Sequence, residues 1–238
     1  MKGPNRWGRD SANKSRPRFI QRIQNEIPEL VIENCASGGH RLVPSFLEMT
    51  SMSSFSDAHE CDEIPLIAAN MHRMILPRQS QIWAVIRREH TKRKLYSQIC
   101  AGMLGRLCFS GDVSDLDADK REIIRNRIQF YHRVSPVIDR GESEITQNGV
   151  LSYRSPKGWQ AVLRRGTQAP ELLLVVVHTF RECPEKITLR VGDKSSQYSV
   201  EDLFAAPEIK IDCCNGEIQL SGLREFDGAA VFIRKAGI

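Results

Sequence analysis

The sequence predicts an α/β half followed by an all-β half. Three observations carry that expectation. Short apolar runs alternate with helical periodicity between about residue 17 and residue 134, several ending in polar, small residues. The composition changes at residues 140–149 (RGESEITQNG), which are polar and turn-like. Beyond that point come alternating or apolar strands with no helical period between them. A chain of 238 residues is long enough to bury a sizeable core in either arrangement.

Residues 1–16 are polar and non-periodic, and are expected to be irregular. Phe19, Ile20, Ile23 and Ile27 recur at helical spacing, and Pro28 ends that helix. Leu30-Val31-Ile32 reads as a short buried strand with the polar stretch ENCASGG at its C-terminal end. Ser51 to Phe55 reads as a second strand, ending in Ser56-Asp57, and Ile64 to Ile75 as a helix with Pro65 in its first turn. Gln81 to Arg87 is strand-like, Leu95 to Leu104 a buried helix, and Arg106 to Ser110 another strand. The strongest helix spans Asp115 to Val134, with Ser114 as cap, aspartates in the first turn, and Ile123, Ile124, Ile128 and Tyr131 as its apolar stripe. Strands are then expected at Trp159–Arg164, Leu172–Thr179, Ile187–Val191, Ile209–Asp212, Glu217–Leu220 and Ala229–Ile233. Asn215-Gly216 makes the hairpin between two of them. These strands compose a small antiparallel sandwich.

Bulk properties narrow the function. The net charge of +5 arises from 34 Lys and Arg against 29 Asp and Glu, and residues 1–30 hold seven of the former against three of the latter. A basic start of this kind can serve a nucleic acid, but no aromatic platform or reader motif accompanies it, so no nucleic-acid partner is expected. Seven cysteines without framework spacing, Cys213 and Cys214 being adjacent, indicate a reduced, cytoplasmic chain. The longest apolar run, Leu172 to Val177, is too short to span a bilayer, and the N-terminus has no apolar core of a secretory signal, so no membrane partner is expected.

The chemistry concentrates between Glu33 and Glu60. Asp57 follows a strand at its C-terminal end, where α/β proteins place catalytic groups; capping the next helix is the structural alternative. Asp57 and His59, with His40 and Asp62, form a possible but incomplete metal set. Cys35 with His40 or His59 is a possible thiol and base. Ser37-Gly38-Gly39 can present backbone N–H groups to an anion or a sugar hydroxyl, or simply make a tight turn.

The order ENCASGGHR, SFSDAHE, a helix, QIWAVIRR, then GRLCFSGD and a charged helix ending in FYH resembles the family 36 glycoside hydrolases, the α-galactosidases or melibiases. The resemblance runs from about Arg18 to the C-terminus. It implies the C-terminal half of a (β/α)8 TIM barrel at 17–142, followed by a β-sandwich at 143–238. It also implies a retaining hydrolase of terminal α-galactosides of the melibiose and raffinose type, working without a cofactor. Carried over by position, Asp57 is the general acid/base. Cys35 and Gly38 contact the galactose ring, and Ser37, Gly39 and Arg41 line the same loop. A retaining enzyme needs an acid to protonate the leaving oxygen and a second carboxylate about 5 Å away to attack the anomeric carbon. The acid must be partly buried to stay protonated.

The sequence also departs from the family. His40 replaces a third glycine, and Ala58-His59-Glu60-Cys61-Asp62 replaces the usual stretch after Ser-Asp. The family's nucleophile motif, of Lys-Trp-Asp-x-Asn-Arg type, is absent from the 34 residues before Cys35. The expectation is therefore half an active site: a chain weak or inactive alone, whose open half barrel self-associates or is complemented by the missing half. The alternative is a non-catalytic carbohydrate-binding or interaction chain.

Overall fold

The computed structural model describes residues 18–35, 39, 41–55, 57 and 62–236. The chain divides after Asp57 into two compact units.

In the first unit a helix, α1, covers residues 18–26. Strand β1 (Glu33–Asn34) pairs parallel with β2 (Met52–Ser54), and a short helix α2 (Pro44–Leu47) lies between them. The apolar run Leu30-Val31-Ile32 was expected to be the strand, but the ladder lies one step later. Only Ile32 takes part, its carbonyl accepting from Ser51 N at 2.9 Å, while Leu30 and Val31 are exposed. Gln24 of α1 donates to the Met49 carbonyl at 3.0 Å, tying the helix to the approach to β2.

The second unit opens with α3 (Ile64–Met71), then β3 (Ser80–Ile86), α4 (Lys92–Gly102), β4 (Arg106–Gly111) and α5 (Ala118–Arg140). Strands β3 and β4 pair in parallel, as two strands joined by a helical crossover do. Helix α5 starts later and runs further than its sequence implied. Val113–Asp115 forms a 3-10 turn, so the cap is Asp117, which accepts from Lys120 N at 2.8 Å. Pro136 lies inside the helix and cannot donate to the His132 carbonyl; the Ser135 hydroxyl does so instead at 3.0 Å. The buried stripe is Ile124, Arg127, Phe130, Val134, Val137 and Ile138, with Ile128 turned to solvent. An arginine inside the stripe is what displaced the sequence-based phase.

Eight strands, six of them expected, make up the all-β half: β5 (Glu142–Asn148), β6 (Trp159–Arg165), β7 (Leu172–Thr179), β8 (Lys186–Arg190), β9 (Tyr198–Phe204), β10 (Lys210–Cys214), β11 (Glu217–Ser221) and β12 (Gly228–Lys235). They form a five-stranded sheet in the order β5-β6-β7-β12-β9 and a three-stranded sheet in the order β10-β11-β8, all pairs antiparallel. The β10–β11 hairpin turns at Asn215 and Gly216, both at positive φ (52° and 73°), as its sequence predicts. Two strands were not foreseen. β5 is the polar segment taken for a boundary turn, and β9 carries Glu201 and Asp202 with a register shift opposite Phe232/Ile233. Both are edge strands held by backbone pairing, so neither shows an apolar alternation.

The core explains the continuous apolar run of β7. Leu173, Val175 and Val177 face Ile187, Leu189, Ile218 and Leu220 of the smaller sheet. The intervening residues Leu174, Val176 and His178 are equally buried, on the face that α4 and α5 cover. A strand buried on both faces has no polar side. The approach of α4 is close: a Cβ at Gly228 would stand 2.8 Å from Ser97 Cα.

Candidate functional site

Of the residues singled out in the sequence, Cys35, Gly39, Arg41 and Asp57 are described, on the segments that follow β1 and β2. Cys35 follows β1 directly and is exposed; Asp57 follows β2 and is also exposed. Arg41 is half-buried. Ser37 and Gly38, with His40 and His59, lie outside the described residues.

Asn34 joins the two strand ends. Its side chain is buried, and its amide donates to the Arg41 carbonyl at 3.0 Å and to Ser53 Oγ at 3.3 Å. The first bond holds the Arg41 backbone to the end of β1; the second ties the end of β1 to β2, four residues before Asp57. At Gly39 φ is +98°, and a Cβ there would stand 3.0 Å from the Phe55 carbonyl oxygen and 3.1 Å from Leu42 Cδ1. The backbone angle favours glycine, and the approach leaves a Cβ tight against its neighbours. Gly39 thereby sits against the Phe55 backbone, two residues before Asp57. Phe55 itself is 8% exposed and anchors that backbone in the core. Asn34 was not among the expected site residues. Its signal in the sequence is a polar amide at the last position of a strand, directly before the motif it holds.

Several alternatives are narrowed by geometry. The cap position of α3 is Glu63, so Asp57 is not that helix's cap. Asp62 is engaged by the Lys94 ammonium. Among the described residues no three His, Cys, Asp or Glu side chains come together as a metal site. The cysteines described are all unpaired, and they differ in setting. Burial pushes the Cys100 thiol up to about 12, whereas Cys35 faces solvent. Among the described residues no helix is long and apolar enough to cross a membrane.

No protein-family model matches this sequence, and no curated protein does. Solved structures do match. The GH36 α-galactosidase AgaA of Geobacillus stearothermophilus, in complex with raffinose, superposes with a TM-score of 0.74 at 15% identity, over 92% of this chain and 30% of that one. The fold is similar to that of one part of the GH36 α-galactosidases. The Lactobacillus brevis α-galactosidase agrees, with a TM-score of 0.74 at 12% identity over 93% of this chain and 31% of that one. An α-amylase from H. orenii matches more loosely, at 0.59 and 12% identity over 98% of this chain and 58% of that one. The chain therefore spans about a third of the length of the galactosidases it resembles. At these identities the likeness is one of fold, and the resemblance noted in the two strand-end motifs lies on that fold.

Proposed function

We propose that this chain carries the acid/base half of a retaining α-galactosidase site. Asp57 is the general acid/base, and Cys35, Ser37, Gly38, Gly39 and Arg41 form the loop that takes the galactose ring. The observation that supports it is the Asn34 bridge with Gly39 packed on Phe55, which sets the motif loop beside the strand end bearing Asp57, on a GH36-like fold. In the double displacement, the Asp57 carboxyl gives its proton to the glycosidic oxygen as a second carboxylate bonds to the anomeric carbon. Asp57 then takes a proton from water as that water displaces the carboxylate. These 238 residues hold no motif of the nucleophile type, so the attacking carboxylate comes from a segment that completes the barrel. AgaA structures with raffinose and stachyose make oligosaccharides with terminal α-galactose the first substrates to test.

The same reading treats 17–142 as half of a (β/α)8 barrel and 143–238 as its sandwich, in a cytoplasmic chain. Strand β4 supports an open barrel: it pairs only with β3 among the described residues, and five of its six residues are half-buried where those of β3 are mostly buried. Such an edge invites self-association or a complementing chain.

A chromogenic α-galactoside tests the proposal. The chain alone is expected to show little or no turnover. Turnover should appear when a chain bearing the nucleophile half is supplied, and it should vanish with Asp57→Asn. Robust turnover by the chain alone refutes the missing nucleophile, and complemented turnover indifferent to Asp57→Asn refutes the acid/base assignment. The exposure of Asp57 favours a second reading, a carbohydrate-binding chain without catalysis, because a general acid is normally kept protonated by partial burial. Calorimetric galactose binding with no turnover under complementation would select it.

A further inference from the structure

The second unit carries an open cleft whose positive charges are not matched. Its volume is about 690 Å³, and it lies beside the starts of β3 and β4 and the last turns of α5. Arg78 lines it from the turn before β3, Arg106 from the first position of β4 and Arg140 from the end of α5. The parallel register sets Arg106 opposite Gln81, so the two strand starts bring Arg78 and Arg106 to one end of the sheet. Arg78 and Arg140 are exposed and Arg106 is half-buried. Among the described residues Asp139 is the only carboxylate in the lining, and Arg140 engages it at 3.3 Å. Arg78 and Arg106 have no ion pair and no hydrogen-bond partner among the described residues.

A fourth cation adds to the field. Arg164 is 1% exposed, and its guanidinium donates to the Ser143 hydroxyl and the Leu104 carbonyl rather than to a carboxylate. Both Arg164 and Arg106 act on Tyr131, which lines the cleft. Burial raises its phenol above the usual value, and the bond from Leu107 N and these two cations oppose the rise. The carbonyl end of α5 works against an anion, but two of its last carbonyls are taken. Gly141 N donates to Val137 at 2.8 Å, and the Thr167 hydroxyl to Arg140 at 2.6 Å. Three arginines against one aspartate leave the lining with two positive charges. Leu107, Pro136 and Tyr131 give the same cleft an apolar surface.

We infer that this cleft binds a phosphate monoester, its phosphate held by Arg78 and Arg106 and its organic body resting on Leu107, Pro136 and Tyr131. Guanidinium forks match phosphate oxygens, and a monoester close to a dianion at neutral pH balances the charge of the lining. The site lies wholly within the second unit and does not rest on the proposed sugar loop.

Titration calorimetry with phenyl phosphate at constant ionic strength, at about pH 7.5 where the monoester is a dianion, tests the inference. The expected result is one saturable site, weakened about tenfold by Arg106→Gln and by Arg78→Gln, each of which removes a charge-assisted contact. Arg78 is exposed, so its variant keeps the test decisive if Arg106→Gln fails to fold. Asp139→Asn should tighten phenyl phosphate several-fold. Absence of a saturable site in the wild type, binding indifferent to both arginine substitutions, or no tightening in Asp139→Asn overturns the inference. Phenol binding as tightly as phenyl phosphate overturns the charge argument. Inorganic phosphate matching phenyl phosphate in affinity overturns the monoester, by assigning the cleft to the free ion.

Discussion

Replacing Asp227 with alanine should cost the second unit about 3 kcal/mol. The side chain of Asp227 is 3% exposed and lies just before β12. Its carboxylate accepts from Arg93 Nε at 2.8 Å and from Arg93 Nη2, a two-point contact, and from Arg224 N at 2.7 Å. Because Arg93 belongs to α4, this clasp joins the α/β part of the unit to the five-stranded sheet. Removing one member of a buried pair typically costs 3–5 kcal/mol, since the other charge is left desolvated. Arg93 keeps a second partner, Glu208 at 3.0 Å, and is 23% exposed, which places the loss at the lower end. A loss of about 3 kcal/mol lowers the folding equilibrium about 150-fold. Urea unfolding followed by tryptophan fluorescence, with Trp83 and Trp159 both in this unit, reads the midpoint at unchanged slope. In a double-mutant cycle with Arg93→Met, the double variant should lose clearly less than the sum of the singles. A loss below about 1 kcal/mol, or additive single losses, would refute the claim that the pair is buried and coupled.

Other expectations follow from the same structure. Gly39→Ala should destabilise the loop by about 2 kcal/mol, from its positive φ and the contact with the Phe55 carbonyl, and should weaken galactose binding measured by calorimetry. Acid should weaken the second unit in a defined window. Burial, aided for His72 by the Arg164 cation, lowers both His72 and His178 from 6.5 to about 4. The unfolded chain therefore binds two protons that the folded chain refuses, and stability falls by up to ~3 kcal/mol per pH unit from about pH 6.5 down to about pH 4 before levelling. Thermal melts across that range check it, and His178→Leu should reduce the slope by about half. At the open edge of β4, Phe109→Lys should reduce any self-association seen by sedimentation velocity; an unchanged distribution would place the contact elsewhere.

The sandwich was largely legible in the sequence because its strands carry their own signals. Leu172–Thr179 is apolar at every position up to its last two, and Asn215-Gly216 specifies its turn type. The edge strands β5 and β9 were not legible, since most of their side chains are exposed and neither shows an apolar alternation. Helix α5 was legible as a helix but not in phase: Arg127 counts as polar in sequence, yet tertiary packing buries it between two aromatic rings.

For the candidate site the division is similar. Sequence alone determined which residue types stand at the ends of the first two strands, because a chain order of small, polar and acidic residues survives without knowledge of contacts. Tertiary structure decided that the two motifs are held together, and by what. The Asn34 amide reaches Arg41 and Ser53 across a gap of seven and nineteen residues, and Gly39 meets a carbonyl sixteen residues onward. It also decided which charges lack partners. Arg93 and Arg127 are the same residue type on adjacent helices, and only packing gives one a buried carboxylate and sets the other against two aromatic rings.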